Sequence, residues 1–238
     1  NRNHFEEKLN AISEKVDLIV LPEMFSTGFT MNPKAVFETM QGETIQWLQS
    51  LARAKNSAIT GSLAIKENNN FYNRLVFVFF FGEIQVYDKR HLFSLAGENK
   101  VYTSGNKKLI VEYQGWKICP LICYDLRFPV FARNTVDYDL LIYVANWPKA
   151  RIQAWDILLK ARSVENLSYT IGVNRVGFDD NNFEYDGHSQ AVDFLGNYVI
   201  EPQETEDVFI VELNKEKLVE TRNKLGFLGD RDSFELKA

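Results

Sequence analysis

The sequence predicts an α/β protein of mixed topology, a four-layer α-β-β-α sandwich. Three observations predict it. Helical and strand-like periodicities alternate along the chain. Many of the strands arrive as hairpins, which simple βαβ repetition does not produce. The inventory, about a dozen strands and four or five helices, needs two sheets with helices outside them. No linker-like stretch or shift in composition divides the 238 residues, so they read as one domain, 1–238.

The elements follow in order. Phe5, Leu9, Ile12 and Val16 give residues 5–15 a helical period, and 17–21 (Asp-Leu-Ile-Val-Leu) reads as a buried strand ending at Pro22-Glu23. A helix over 43–56 carries Ile45, Trp47, Leu48 and Leu51 as its core stripe. Strand signals cover 57–65, 73–81 and 83–87, the last two joined as a hairpin at Phe81-Gly82-Glu83. Phe77, Phe79 and Phe81 alternate onto one packing face. A second hairpin, 109–113 with 116–123, turns at Gln114-Gly115. A strand over 140–145 precedes a helix over 151–166 with Ile152, Trp155, Leu158, Leu159 and Val164 as its stripe. Strands at 169–176 and 208–213 bracket a hairpin at 190–200 tipped by Gly196-Asn197, and a helix over 215–225 precedes a polar tail, 226–238.

Composition narrows the partners. A formal net charge of −5, with cations no denser than Lys107-Lys108, argues against a nucleic-acid backbone. The longest apolar run, 75–81, is too short to span a bilayer. The start, Asn1-Arg2-Asn3-His4-Phe5, is polar and does not read as a signal peptide. The expected partner is a small molecule, and the expected compartment is the cytoplasm. Cys119 and Cys123 lie in one strand at a separation of roughly 13 Å, beyond the ~7 Å that a disulfide tolerates. No His/Cys/Asp cluster has metal spacing and no glycine-rich phosphate loop occurs, so no metal or cofactor is implied.

Three residues share one context. Glu23, Lys89 and Cys123 each stand just past the C-terminal end of an apolar strand, the edge at which sites gather in parallel sheets. Together they form an acyl-transfer set. The lysine favours the thiolate. The glutamate takes the thiol proton, delivers it to departing ammonia, and later activates water. The Lys89 ammonium and the Tyr124 backbone N–H hold the oxyanion. Singly, each residue has a plain alternative, as Cys119 does: a thiol buried as a small hydrophobe. Asp125 and Arg127 read as an ion pair that holds the turn after Cys123.

The stretches Leu21-Pro22-Glu23-Met24, Tyr87-Asp88-Lys89-Arg90-His91-Leu92-Phe93 and Ile122-Cys123-Tyr124-Asp125-Leu126-Arg127-Phe128-Pro129 resemble the three signature motifs of the nitrilase superfamily of carbon–nitrogen hydrolases. The resemblance covers residues 1–213 and implies a nitrilase-like fold. It implies Glu23 as general base, Lys89 as stabiliser of oxyanion and intermediate, and Cys123 as nucleophile. Glu98, seven residues before Gly105, matches a second family glutamate that orients the lysine and the substrate. The family also implies a homodimer and a strand ahead of the first helix, which this sequence does not show.

Tyr143-Val144-Ala145-Asn146-Trp147-Pro148 and Asn174-Arg175-Val176-Gly177 resemble the omega-amidase branch. That branch implies hydrolysis of the distal amide of 2-oxoglutaramate or 2-oxosuccinamate. The distal carboxylate then needs a cation, for which Arg151 and Lys149 are the candidates, with Trp147 closing the apolar side of the pocket or serving as a core aromatic. The rivals are a nitrilase or an N-carbamoyl amino acid hydrolase sharing the triad, and a non-catalytic binding module on the same fold.

Overall fold

The structure is a computed structural model, and it describes residues 1–236. The chain gathers into two compact units: Asn1–Lys107 with Glu206–Ile210, and Lys108–Thr205 with the chain from Val211 onward.

The first unit holds α1 (Arg2–Asn10), β1 (Leu18–Val20), α2 (Pro33–Val36), α3 (Glu43–Lys55), β2 (Ala58–Glu67), β3 (Asn70–Val78) and β4 (Ile84–Asp88). Its sheet runs β1-β2-β3-β4, with β1 parallel to β2 and the remaining pairs antiparallel. Alternation along β2 puts Ile59, Leu63 and Ile65 on one face, where they pack with Leu9 of α1 and with Ile45, Leu48, Leu51 and Ala52 of α3. Asn56, at φ 52°, ends α3 in the left-handed conformation that asparagine tolerates. The opposite face of β2 and β3 carries the buried polar residues Ser62 and Asn73. Gly61 lets the chain leaving β1 pass close over β2; a Cβ there would stand 2.9 Å from the Leu21 Cβ.

The second unit holds β5 (Val111–Tyr113), β6 (Trp116–Ile122), α4 (Pro129–Ala132), β7 (Leu140–Ala145), α5 (Ile152–Asn166), β8 (Tyr169–Asn174), β9 (Val176–Phe178), β10 (Glu184–Asp186), β11 (Ser189–Val192), β12 (Tyr198–Gln203) and α6 (Lys215–Leu225). Its sheet order is β12-β11-β8-β7-β6-β5, with β6, β7 and β8 parallel and the flanks antiparallel. All six residues of β7 are buried, as a central parallel strand requires. Helix α5 lies so close to β8 that a Cβ on Gly172 would come within 2.5 Å of Leu159.

Several elements differ from the sequence expectation. Helix α1 stops at Asn10, where Ile12 N–H already bonds three residues back to the Leu9 carbonyl; Ile12 and Val16 still pack on the core. Val164 is exposed, because it stands nine residues from the buried Trp155 and so half a turn round α5 from it; Arg162, Ser163 and Asn166 take the buried stripe instead. Phe77 and Phe79 are buried, but Phe81 sits at the hairpin tip and is 58% exposed. Residues 208–213 form no strand. Val208 N–H goes to the Asp207 carboxylate, and the alternation read there has no ladder partner among the described residues. Helices α2 and α4, each a single turn begun by a proline, and the β9–β10 hairpin are additions. The tail expected at 226–238 opens with a 3-10 turn, Phe227–Asp230, and Arg231 pairs with Asp137; residues 237 and 238 lie outside the described residues.

Candidate functional site

In the first unit, Glu23, Lys89 and Glu98 come together in the interior. Lys89 Nζ donates to Glu23 Oε1 at 2.9 Å and to Glu98 Oε1 and Oε2 at 3.1 and 3.0 Å. None of the three side chains is more than 1% exposed. An ammonium cannot stay charged there without such partners.

The backbone places each member. Met24, at φ 44°, turns the chain sharply after Glu23, and its N–H donates to Ser62 Oγ at 2.9 Å. Lys89 is pinned on both sides: its N–H bonds Asn73 O, and its carbonyl accepts from Gly105 N–H, both at 3.0 Å. A Cβ on Gly105 would lie 2.1 Å from Asp88 O, so only glycine permits that approach. One residue before Lys89, Asp88 receives a two-pronged bond from Arg74 at 2.6 and 2.9 Å. Burial works against the Arg74 charge, but hydrogen bonds to Asp88 and Glu67 hold its pKa above the ordinary value. Glu98 follows Gly97 in a 3-10 turn, and Phe93 N–H donates to its Oε2.

Two further residues complete the cluster. Asn73 Nδ2 donates to Glu23 Oε1 at 2.8 Å and to Glu98 Oε1 at 3.2 Å. Tyr102 donates to Thr30 O; burial, then the Glu98 and Glu23 charges, raise its phenol pKa above the ordinary value and keep it neutral. Sequence reading missed Asn73. The available signal was an amide midway along a strand that is otherwise apolar toward its end.

In the second unit, Cys123 begins a 3-10 turn, Cys123–Arg127, at the end of β6. Its φ of 44° is left-handed, a strain that a side-chain-bearing residue adopts only when held. Asp125 holds it by accepting Ile122 N–H at 3.0 Å, and Arg162 donates to Leu126 O at 2.6 Å. Arg127 does not take up the expected pairing with Asp125; its guanidinium lies over the Trp147 ring, 4.9 Å from the centroid. The Cys123 thiol is half-buried, 4.0 Å from the Asn146 carbonyl. Cys119 is fully buried, and burial pushes its thiol pKa up to about 12. Tyr124 follows the nucleophile candidate directly, so its N–H emerges from the same turn.

A cleft of about 440 Å³ is lined by Arg127, Lys149, Ala150, Arg151, Ile152, Gln153 and Ala154. Lys149 is engaged there by Glu184 at 2.7 Å, which raises its pKa. Trp147 is buried beneath: its indole N–H donates to Arg151 O, its backbone N–H to Asn174, and its ring packs on Trp155. It therefore supports Arg127 and Arg151 without opening onto solvent itself.

Known proteins resemble this chain over nearly all of its length. Residues 3–223 match the carbon-nitrogen hydrolase family model. The omega-amidase YafV of Yersinia enterocolitica is 44% identical over 99% of this chain and 92% of its own. A 2-oxoglutaramate amidase of Bacillus subtilis is 31% identical over 92% of this chain and 86% of its own. The crystal structure of XC1258 from Xanthomonas campestris, a CN-hydrolase superfamily protein with an arsenic adduct in its active site, matches at a TM-score of 0.96. Its identity is 41%, covering 99% of this chain and 92% of that one.

Proposed function

We propose an omega-amidase activity for this chain, on the premise that it belongs to the carbon-nitrogen hydrolase family, with its mixed α/β fold and its hydrolysis of carbon–nitrogen bonds other than peptide bonds. The substrate is a short primary amide bearing a distal carboxylate, of the 2-oxoglutaramate or 2-oxosuccinamate type. The products are the dicarboxylate and ammonia.

The catalytic set is Glu23, Lys89 and Cys123. Glu23 accepts the thiol proton as sulfur attacks the amide carbon. The Lys89 ammonium and the Tyr124 N–H stabilise the oxyanion, each donor worth roughly 3–4 kcal/mol in the transition state. Glu23 returns its proton to the leaving nitrogen, since unprotonated amide nitrogen departs poorly, then deprotonates the water that hydrolyses the thioester. One observation carries this reading: an ammonium hydrogen-bonded to two carboxylates, with none of the three more than 1% exposed. Such a cluster is expensive to bury for stability alone.

The cationic cleft supports the choice of an acidic substrate. Arg151 and Lys149 are the candidates to read the distal carboxylate, Lys149 being paired with Glu184, and Arg127 lines the same cleft. Ammonia release across amides, nitriles and ureido acids tests the activity. We expect 2-oxoglutaramate to exceed butyramide by about 30-fold or more in kcat/KM, since losing a carboxylate that pairs with a cation costs ~2–5 kcal/mol. Equal rates would remove the omega-amidase reading, and a preference for a nitrile or ureido acid would replace it.

The working form in this proposal is a cytoplasmic homodimer. Cys119 and Cys123 remain thiols, which suits a reducing compartment, and among the described residues no helix is long and apolar enough to cross a membrane. Ile157 and Val164, seven residues apart on α5 and so on one face, are 66% and 49% exposed, with Leu195 at 50%. An apolar helix face of this kind suits a second copy. A stable monomer in sedimentation at micromolar concentration would contradict the dimer.

A further inference from the structure

We infer that Asn73 is a positioning residue of this site, its side-chain amide holding the carboxylates of Glu23 and Glu98 in place around Lys89. The inference rests on the proposed role of Glu23 as the proton-transfer base.

Asn73 reaches Glu23, Glu98 and Lys89. Nδ2 donates to Glu23 Oε1 and Glu98 Oε1, the two oxygens that Lys89 Nζ also binds, so amide and ammonium share both acceptors. Its backbone carbonyl receives Lys89 N–H. The register of β3 on β4 makes that possible: Arg74 faces Asp88, which brings Asn73 beside the residue after β4. The Arg74–Asp88 pair locks that register one step away.

Asn73 is 1% exposed, yet its Oδ1 has no hydrogen-bond partner among the described residues. The end of the amide that donates twice is the one turned to the two carboxylates. The orientation is also chemically determined, because turning the amide over would set Oδ1 against two carboxylate oxygens. A neutral donor suits this position, because two carboxylates around one ammonium need further hydrogen bonding, and a second ammonium would compete with Lys89 for Glu23. Donation to the ionised form stabilises it, so Asn73 keeps Glu23 a proton acceptor toward lower pH.

The test is the pH profile of kcat/KM for ammonia release from 2-oxoglutaramate, with circular dichroism as a check on folding. Asn73→Ala removes the donor, which disfavours the carboxylate form, so the acid limb moves up by about one pH unit. The near-isosteric Asn73→Asp preserves the packing, and its added negative charge moves the limb further in the same direction. Either folded variant therefore reads the effect. Glu23→Gln separates the two claims. An inactive Glu23→Gln with an acid limb unmoved in the Asn73 variants overturns the role of Asn73 alone. A Glu23→Gln enzyme of undiminished activity overturns the base assignment on which it rests.

Discussion

In the first unit, the chemistry-bearing side chains are held by one another; in the second, the thiol is held by the backbone beneath it. Lys89, Glu23, Glu98 and Asn73 form a network in which each bond constrains two side chains, on a backbone fixed by the Met24 turn and by the Asn73 and Gly105 bonds to Lys89. The Cys123 thiol is placed differently. Its position comes from a left-handed φ at a strand end, kept by the Asp125 carboxylate below it. Groups that move protons and stabilise charge need fixed distances to other charges, because their strength depends on hydrogen-bond geometry. A nucleophile needs direction, which a sharp turn at a strand end gives.

The comparison predicts unequal losses. Cys123→Ala should abolish turnover, by 10⁴-fold or more on the order of other nucleophile deletions. Cys119→Ala should keep most of it, since that thiol is fully buried and stays protonated below about pH 12. Iodoacetamide labelling with peptide mapping checks this without mutation. Burial raises the Cys119 pKa, so labelling at pH 7–9 should fall on Cys123, and inactivation through Cys119 would reverse the assignment. Lys89→Met should be next, with kcat down about 10²–10³-fold. It should also cost ~3–5 kcal/mol of stability by stranding two buried carboxylates. A loss of kcat without a drop in melting temperature would mean that the network is not what holds the first unit's site. Ser62→Ala is the smallest case. It removes the acceptor for Met24 N–H, costs about 1 kcal/mol, and should lower kcat more than it raises KM, because the misplaced group is Glu23.

Glu23, Lys89 and Cys123 were legible as candidates because each follows the end of an apolar strand, whereas Glu98 was legible only through its resemblance, seven residues before Gly105, to the family's second glutamate. Asn73 was not, because a strand-interior amide between Tyr72 and Arg74 resembles any polar residue on a half-exposed edge. Its partners are 50 and 25 residues away in sequence, and only the register of β3 on β4 reveals them. Long elements such as α3, β7 and α6 were readable from periodicity and caps; Asn214 accepts from Lys217 N–H at the start of α6, and Gly226 ends it. Residues 208–213 show the converse. Alternation alone does not make a strand, since a strand exists only where another edge receives it.

The most direct measurement is acid quenching of the enzyme during turnover of 2-oxoglutaramate, followed by mass spectrometry of the cysteine peptides. The proposed mechanism puts the substrate's acyl group on Cys123 as a thioester, cleaved by hydroxylamine and absent from the Cys119 position. An acyl group on any other residue, or undiminished ammonia release by Cys123→Ala, would contradict it.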